Sequence, residues 1–391
     1  MLVKQEVKPS VLTPGQTIRR RLLRNKPAMV GLFIILVATL IALLGYLIMP
    51  DNTANANNTI VQLQKKTPGF TVPVFKVPDL EVPATSQNFL SRMLFGVRQS
   101  FTEYPYRTYT VKGDFISLTP FEINPALPQE NRVFSISQIT GEKNQPKALA
   151  RLKQDNLYTK TFWLGTDNAG RDVLSRLILG TRISLGIGLV AVLISVVIGI
   201  AVGALAGYFG GWVDKLMLFF MTVIWSVPGI MLVIAISLAL NSKGIWVSFV
   251  AVGLTMWVDV ARVVRGQFLS LKEKTYIEAA KVLGLPRYRI IINHILPNMI
   301  GPLIVIATAN FASAILMEAG LSFLGLGVQP PAPSWGMMVN EGFQLVGARA
   351  GLFLILLPSA CISLLVLSFN LLGNGLRDAY DPKIIFTDAG S

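Results

Sequence analysis

Two short stretches set charged residues at definite spacings beside apolar runs. One is GTDNAGRDV (165–173), where Asp167, Arg171 and Asp172 stand around Gly170; the other is YIEAAKVLGLPRYRIIINHILP (276–297), whose acid is Glu278. A lone carboxylate, Glu318, sits inside a later apolar run. None of these sets can break a bond by a familiar route. The chain has one histidine, His294, and one cysteine, Cys361, so it has no internal disulfide and no His/Cys metal site, and a Ser-His-Asp set is not expected from a single histidine at the edge of an apolar run. No acidic pair resembles a metal or hydrolase site, and no G-x-x-x-x-G-K-S/T loop is present to cradle the phosphates of ATP. The roles left to these charges are helix capping, ion pairing and contact with a partner surface, in which position matters more than reactivity.

The elements that must hold them are apolar helices. Of 391 residues, 52% are hydrophobic and 14% charged, where soluble chains carry about 25% charged residues. The deficit lies in runs long enough to cross a hydrocarbon core, which takes about 20 residues as helix. These runs do not alternate in ten-residue segments as the strands of a membrane barrel would. The first, Ala28–Met49, follows Arg19, Arg20, Arg21, Arg24 and Lys26. That charge order is shared with signal peptides, but the run is too long and lacks a small-residue cleavage site, so a retained helix is expected. Five further spans are predicted at about Ile183–Gly207, Leu216–Leu240, Ile245–Val264, Met299–Leu324 and Ala350–Gly373. Asp259 and Arg262 fall in the last turns of the Ile245 span, where a long basic side chain can snorkel to the interface. The net charge of +14 collects beside these spans rather than with groove-reading elements, so no nucleic-acid partner is expected.

Lysine and arginine in the short loops orient the spans. With the N-terminus inside, the inner segments hold the basic N-tail, Lys215, Arg262, Arg265, Lys272, Lys274, Lys281, Arg287, Arg289, Arg377 and Lys383. The two short outer loops hold only Lys243 and Arg349. Both termini and the 276–297 connector are therefore expected in the cytoplasm. Residues 50–182 form one long outer segment. It opens with an Asn-rich linker, DNTANANNT, followed by the Pro-punctuated TPGFTVPVFKVPDLEVP. Alternation in YPYRTYTVKGDFISLTPF predicts a hairpin turning near Lys112-Gly113-Asp114, with RVFSISQI as a third strand and NQPKALARLKQDNLY as a short helix. So much patterned sequence marks a small accessory domain with no recognisable chemistry of its own.

The connector reads as helix–turn–helix. Tyr276 to Leu283 favour helix, Gly284 suits the left-handed residue that closes one, and Pro286 suits the first position of the next. Pro297 marks the start of the following span. Ala279 and Ala280 keep one side thin enough for a second protein surface, beside the charge of Glu278. Spacing alone leaves two readings open, a docking helix or a helix that merely caps the bundle, because small-residue patches also serve packing within one chain.

Glu278, Ala279, Ala280 and Gly284, closed by Ile295, Leu296 and Pro297, resemble the EAA loop of ABC importer permeases. LGTDNAGRDVLSRLILGTRISLGIGL (164–189) and EAGLSFLGLGVQPPAPSWGMMVNEG (318–342) are similar to the peptide/nickel branch of that family, the C-type subunits of dipeptide and oligopeptide importers. The resemblance runs over about residues 160–382 and the first span. It implies an all-α polytopic membrane protein with six transmembrane helices of the ABC importer permease type, interrupted by a small α+β extracytoplasmic insertion. The division is then a cytoplasmic basic tail (1–27), the first transmembrane helix (28–49), the insertion (50–160), a permease core with five transmembrane helices and a coupling loop at 266–297 (161–382), and a cytoplasmic tail (383–391).

What the resemblance implies for function is a transport subunit without its own ATPase site. In that family the loop carrying Glu278, Ala279, Ala280, Gly284 and Pro297 inserts into a cleft of a separate ATPase. The expected partners are two ABC ATPase subunits, a second homologous permease, an extracytoplasmic solute-binding protein and the lipid bilayer of a bacterial cytoplasmic (inner) membrane. No cofactor is expected in this chain, since ATP and Mg belong to the partner subunits. Asp167, Gly170, Arg171 and Asp172 become a signature near the outer gate; read on their own they are a capped, salt-bridged helix start. Glu318 is a functional-site hypothesis because an intramembrane charge is costly, with a structural hydrogen-bonding role favoured over substrate contact. QPPAPSWG (329–336) is expected as a rigid outer turn. Where many relatives carry an Arg and an Asp three apart after GGWVD, this chain has Phe219 and Thr222. The substrate class implied is di- or oligopeptide, with nickel or another small solute as the alternative within the family. An ion-gradient-driven secondary transporter is the alternative outside it; that reading would lean on Glu318 as a relay, and no internal repeat supports it.

Overall fold

The computed structural model describes residues 13–79, 88–121, 130–241, 244–347 and 349–381, and at Pro14, Arg349 and Ala350 only the backbone. Lys243, Lys383 and the predicted 383–391 tail lie outside these residues, as do the first twelve.

The basic segment expected as a tail is in large part helical. Helix α1 (Pro14–Arg24) runs into α2 (Lys26–Ile48) through Asn25, whose side chain accepts from the Ala28 N–H at 3.1 Å and so caps α2. Helices α6 (Val173–Phe209), α9 (Ile245–Leu271), α12 (Ile300–Phe323) and α14 (Arg349–Tyr380) complete the long apolar elements. Among the described residues, five segments are long and apolar enough to cross a membrane. The predicted span Leu216–Leu240 is not one helix. It divides into α7 (Gly211–Trp225) and α8 (Gly229–Ala239), set at 90° to each other. Pro228 lies at the break, where it cannot donate the N–H that a continuous helix needs. Counted as one bent span, the pair makes a sixth.

The core of the bundle is the contact of α6 with α9. Ser195, Gly199, Gly203 and Gly207 repeat every four residues down one face of α6 and are all buried. A side-chain carbon at Gly199 would lie 2.5 Å from Val260 Cβ, and one at Gly203 2.5 Å from the Ala261 carbonyl oxygen. Such a stripe lets two backbones meet where lipid offers no hydrophobic drive to bring helices together. Helix α2 packs on α14 and α6, with Gly31 against the Ser368 carbonyl and Gly45 against Ile178. Phe311 of α12 stacks on Phe369 of α14, ring centroids 4.0 Å apart.

Between α2 and α6 stands the accessory domain, a five-stranded antiparallel sheet of order β4-β3-β2-β1-β5. Its strands are β1 (Phe70–Pro78), β2 (Phe101–Lys112), β3 (Phe115–Pro120), β4 (Arg132–Ser135) and β5 (Leu157–Phe162), with α3 (Phe89–Phe95), α4 (Ile136–Thr140) and α5 (Gln145–Asp155) between them. The hairpin turns at Gly113-Asp114 and the short helix spans Gln145–Asp155, both as expected. The third strand is shorter than predicted. After Ser135 the chain turns into α4, because the Ser135 hydroxyl accepts from the Gln138 N–H and caps that helix. Strand β1 was hidden by its prolines. Pro73 pairs only with β5, and pairing to β2 begins at Val74, so its missing N–H falls where β1 has a single neighbour.

Each face of the sheet has its own core. Phe75, Ile116 and Leu118 pack with Ala148 and Leu152 of α5, while Val72, Val74 and Phe162 pack with Ile60 and Leu63. The last two belong to the stretch that follows the expected Asn-rich linker, and the linker itself is folded. Asp51, Thr53 and Asn58 are buried: Asp51 accepts from the Thr53 hydroxyl at 2.7 Å and from the Asn58 N–H at 3.1 Å. The Asp51 N–H in turn donates to Ser175 Oγ on α6 at 2.9 Å. Asn58 donates to buried Glu103 at 2.8 Å, which also takes Lys160 at 2.7 Å and the Tyr158 hydroxyl. Asparagines that look like a polar spacer are thus hydrogen-bonding the sheet to the bundle.

Candidate functional site

At the end of α6 remote from the sheet lies the connector. Helix α10 (Thr275–Val282) closes in a Schellman motif: the Leu285 N–H donates to the Ala280 carbonyl at 3.2 Å and the Gly284 N–H to that of Lys281 at 3.0 Å. Gly284 takes φ +74°, a left-handed conformation that side-chain-bearing residues resist. Pro286 is the cap of α11 (Arg287–Ile290), one position earlier than predicted. From there the chain passes through a π-type turn (Ile291–Ile295) and a 3-10 turn (Leu296–Met299) holding Pro297 directly into α12. The second helix of the predicted helix–turn–helix and the following span are therefore one rod, bent by local changes of winding.

The two alanines face opposite ways. Ala280 is buried with Ile277, Ile290, Ile295 and Met299 against Val260, Val264 and Phe268 of α9, whereas Ala279 and Glu278 are exposed. The thin surface expected of both residues belongs to Ala279 alone. What the sequence reading passed over are its neighbours: Val282 is 87% and Leu283 79% exposed, with Tyr276 and Tyr288 also open. The signal was there to use, since two large apolar residues immediately before a helix-closing glycine and after the buried turn point away from the bundle. Nearby, Arg265 of α9 grips Asp214 of α7 with two hydrogen bonds (2.5 and 2.8 Å), fixing the start of the bent span to the connector end.

The other stretch singled out in sequence lies at the sheet end of α6 and is buried. Asp167 Oδ1 accepts the N–H groups of Ala169 (2.8 Å) and Arg171 (2.9 Å), forming the turn in which Gly170 sits at φ +77°. A side-chain carbon there would meet the Ile60 carbonyl oxygen at 1.9 Å, so Gly170 is where the core and the 51–63 segment touch. Asp172 caps α6 by accepting from the Ser175 N–H at 2.8 Å and its hydroxyl; burial raises its carboxyl above the usual range although both donors oppose this. Arg171 reaches Asp167 at 2.7 Å and Glu341 at 3.0 Å. Two members of this cluster escaped the sequence reading. Arg176 is completely buried one turn further along α6, with Nε 3.3 Å from Asp167 and Nη2 3.2 Å from Glu341. Glu341 belongs to α13 (Trp335–Phe343), which Ser334 caps through the Met337 N–H at 3.2 Å. Two arginines and two carboxylates make a neutral, largely buried cluster in which each charge already faces a counter-charge, suited to fastening elements.

Glu318 on α12 is 1% exposed; its Oε1 accepts from Ser322 Oγ at 2.7 Å, and Ser322 Oγ accepts from the Val328 N–H at 3.1 Å. It thus ties the end of α12 to the loop that leads to α13. Phe219 and Thr222 lie on the exposed side of α7, where Thr222 bonds only its own helix at Leu218.

Comparison with known proteins bears on both ends of the molecule. Residues 199–386 match the family model of the binding-protein-dependent transport system inner membrane component, and residues 13–65 that of the N-terminal TM domain of oligopeptide transport permease C. The glutathione transport system permease protein GsiD of Pectobacterium atrosepticum is 44% identical over 228 residues, 58% of this chain and 74% of that protein. GsiD of Escherichia coli is 44% identical over 224 residues, 57% of this chain and 72% of that protein. A solved structure, the MetNI methionine ABC transporter in an inward-facing conformation, superposes with a TM-score of 0.44 at 19% identity over 52% of this chain and 96% of that one. With a relative at 44% identity covered over three-quarters of its length, and with the EAA-type connector in place between α9 and α12, this chain belongs to the binding-protein-dependent ABC importer permeases, in their peptide/nickel branch.

Proposed function

We propose that the chain is one of two permeases of an ATP-driven importer for short peptides, with ATP hydrolysed by separate subunits that dock on α10. The observation that carries the docking surface is the exposed pair Val282 and Leu283, presented beside Ala279 and Glu278 on a helix whose other side is anchored in the bundle. Apolar side chains so exposed at an aqueous surface fit a protein partner. The mechanism follows from how α10 is fastened. Ile277 and Ala280 pack on both α9 and the start of α12, so a push on α10 moves these two helices together. The glycine stripe of α6 passes that motion to α6, with the ion cluster at its far end as a fixed point. This chain then contributes the lever and a wall of the pathway, and no bond-breaking group.

The excess of Lys and Arg near the connector supports an orientation with α10 and both termini in the cytoplasm and the sheet outside, in the inner membrane of a bacterium. The sheet end would then receive the solute-binding protein. The names of the relatives favour a small peptide of the glutathione kind as the substrate. The test is purification of the tagged chain from its membranes in mild detergent, with mass spectrometry of its companions, for the native chain and for Gly284→Val. An ATPase pair and a sister permease with the native chain, the ATPases missing with the variant, is the expected result. A chain that purifies alone in both cases, under conditions that preserve a known ABC complex, would overturn the reading in favour of a gradient-driven transporter.

A further inference from the structure

We infer that α3 is a membrane-surface helix: a seven-residue wedge that lies in the lipid interface at the sheet end of the bundle and fastens the accessory domain to the bilayer. It has no buried residue, and its large apolar side chains are open, with Phe89 65%, Leu90 64% and Phe95 68% exposed and Leu94 also exposed. Neither core of the sheet includes it. Such a surface on a water-facing loop would be anomalous; at the edge of a bilayer it is ordinary.

Three contacts set its height. Arg182 of α6 donates to the last-turn carbonyls of α3, to Leu94 at 2.8 Å and Met93 at 3.3 Å. Arg182 stands nine residues into α6, about 14 Å along its axis, immediately before the uninterrupted apolar run from Ile183. Its guanidinium also lies 5.4 Å from the ring centroid of Tyr46, which is in the last turn of α2. Gly96, which ends α3, has backbone so close to Tyr46 that a side-chain carbon would come within 2.6 Å of the ring. The chain after it is bonded to the segment just beyond α2, Val97 N–H to the Asn52 carbonyl at 2.8 Å and Ala54 N–H to the Val97 carbonyl at 3.2 Å. Helix α3 is therefore level with the last turn of α2 and with the third turn of α6, where its apolar run begins, not above them with the sheet.

Lipid is the occupant that this level and chemistry select. Helix α3 packs beside α2, in whose last turns Leu43, Leu47 and Ile48 are exposed in the same way. Arg92 in the middle of α3 and Arg98 just beyond its end are exposed, and with Arg182 they place positive charge where phosphate headgroups lie. That the leaflet is the outer one rests on the orientation proposed above; the membrane contact itself does not.

The experiment is depth-resolved quenching. The full chain carrying Cys361→Ser receives a single cysteine at Leu90, Leu94 or, as a control, exposed Val133 on β4, is labelled with a small fluorophore, and is reconstituted in phospholipid vesicles containing lipids spin-labelled high or low on the acyl chain. Leu90, Leu94 and Val133 are 64%, 45% and 58% exposed, so these three substitutions remove little packing. Quenching at 90 and 94 several-fold above that at 133, and stronger with the shallow label than the deep one, is expected. Quenching no greater than at 133 would overturn the inference. So would quenching that disappears when the chain is reconstituted together with the subunits that copurify with it, since α3 would then be a protein contact.

Discussion

Arg176, completely buried on α6, donates to the carboxylate of Glu341 on α13 at 3.2 Å across 165 residues of sequence. With Arg171 and Asp167 it closes a neutral cluster at the sheet end of the bundle, joining the start of α6 to the loop-borne α13. Removal of one partner strands a buried charge. Glu341→Ala is expected to cost about 3–5 kcal/mol, seen as a lower melting temperature of the detergent-purified chain, with Glu341→Gln intermediate. An unchanged melting temperature would mean that the cluster is not a fastening.

The two sides of α10 should fail differently. Leu283→Asp puts a charge on the exposed side and is expected to leave membrane insertion and yield intact while abolishing copurification of the ATPase subunits. Ile277→Asp buries an unpaired charge in the contact with α9 and is expected to reduce the yield of folded chain itself. If both variants merely lowered yield, α10 would be a cap on the bundle.

Gly203 has no space for a side chain, since the added carbon would lie 2.5 Å from the Ala261 carbonyl oxygen. Gly203→Leu must separate α6 from α9, at about 1–3 kcal/mol for overpacking, and is expected to lower both stability and transport. Gly186, which has nothing within 4 Å of its added carbon, is the control: Gly186→Leu should be tolerated.

Glu318 separates coupling by ATP from coupling by protons. Glutamine keeps an oxygen for the Ser322 hydroxyl, so Glu318→Gln is expected to retain transport, whereas Glu318→Leu leaves Ser322 without that partner and should impair it. Loss of transport in the glutamine variant would make the carboxyl a proton carrier and would favour the gradient-driven mechanism.

Acid should loosen the joint between the hairpin and α4. Asp114 accepts from the hydroxyls of Ser137 (2.6 Å) and Ser135 (2.8 Å) and from the Ser137 N–H (3.0 Å); the Ser137 hydroxyl is the main cause holding its carboxyl below the usual range. A lowered carboxyl stabilises the fold fully above the unfolded value of about 3.9, and that stabilisation is lost as pH falls through the lower folded value. Hydrogen exchange over residues 132–140 should show the native chain better protected than Asp114→Asn at neutral pH. The difference should vanish in acid; a difference independent of pH would rule out the titration.

The sequence alone determined whatever depends on neighbours along the chain. Run length and hydropathy marked the apolar segments, the period-two pattern marked the hairpin, and Gly284 marked the end of α10, because span, strand and helix closure are local consequences of residue type. The family was named by the resemblance of three motifs, the loop from Glu278 to Pro297 and the stretches 164–189 and 318–342, and not by spacing alone. Spacing could not say which alanine faces a partner. That depends on the rotation of α10 against α9, which Val260, Val264 and Phe268 impose from elsewhere in the chain.

Tertiary structure decided what depends on distant partners. The Asn-rich stretch after α2 reads as a linker until Glu103 and Ser175 supply acceptors for the Asn58 amide and the Asp51 N–H. Proline hides β1 until β5 and β2 are seen to overlap only beyond Pro73. The break at Pro228 is local, but that α7 and α8 stand at 90° across it is seen only in the fold. The ion cluster is the clearest case. Asp167 and Arg171 announced themselves by proximity in sequence, but Arg176 and Glu341 meet only because α13 folds back on α6, and a buried charge is tolerated only where its counter-charge already stands.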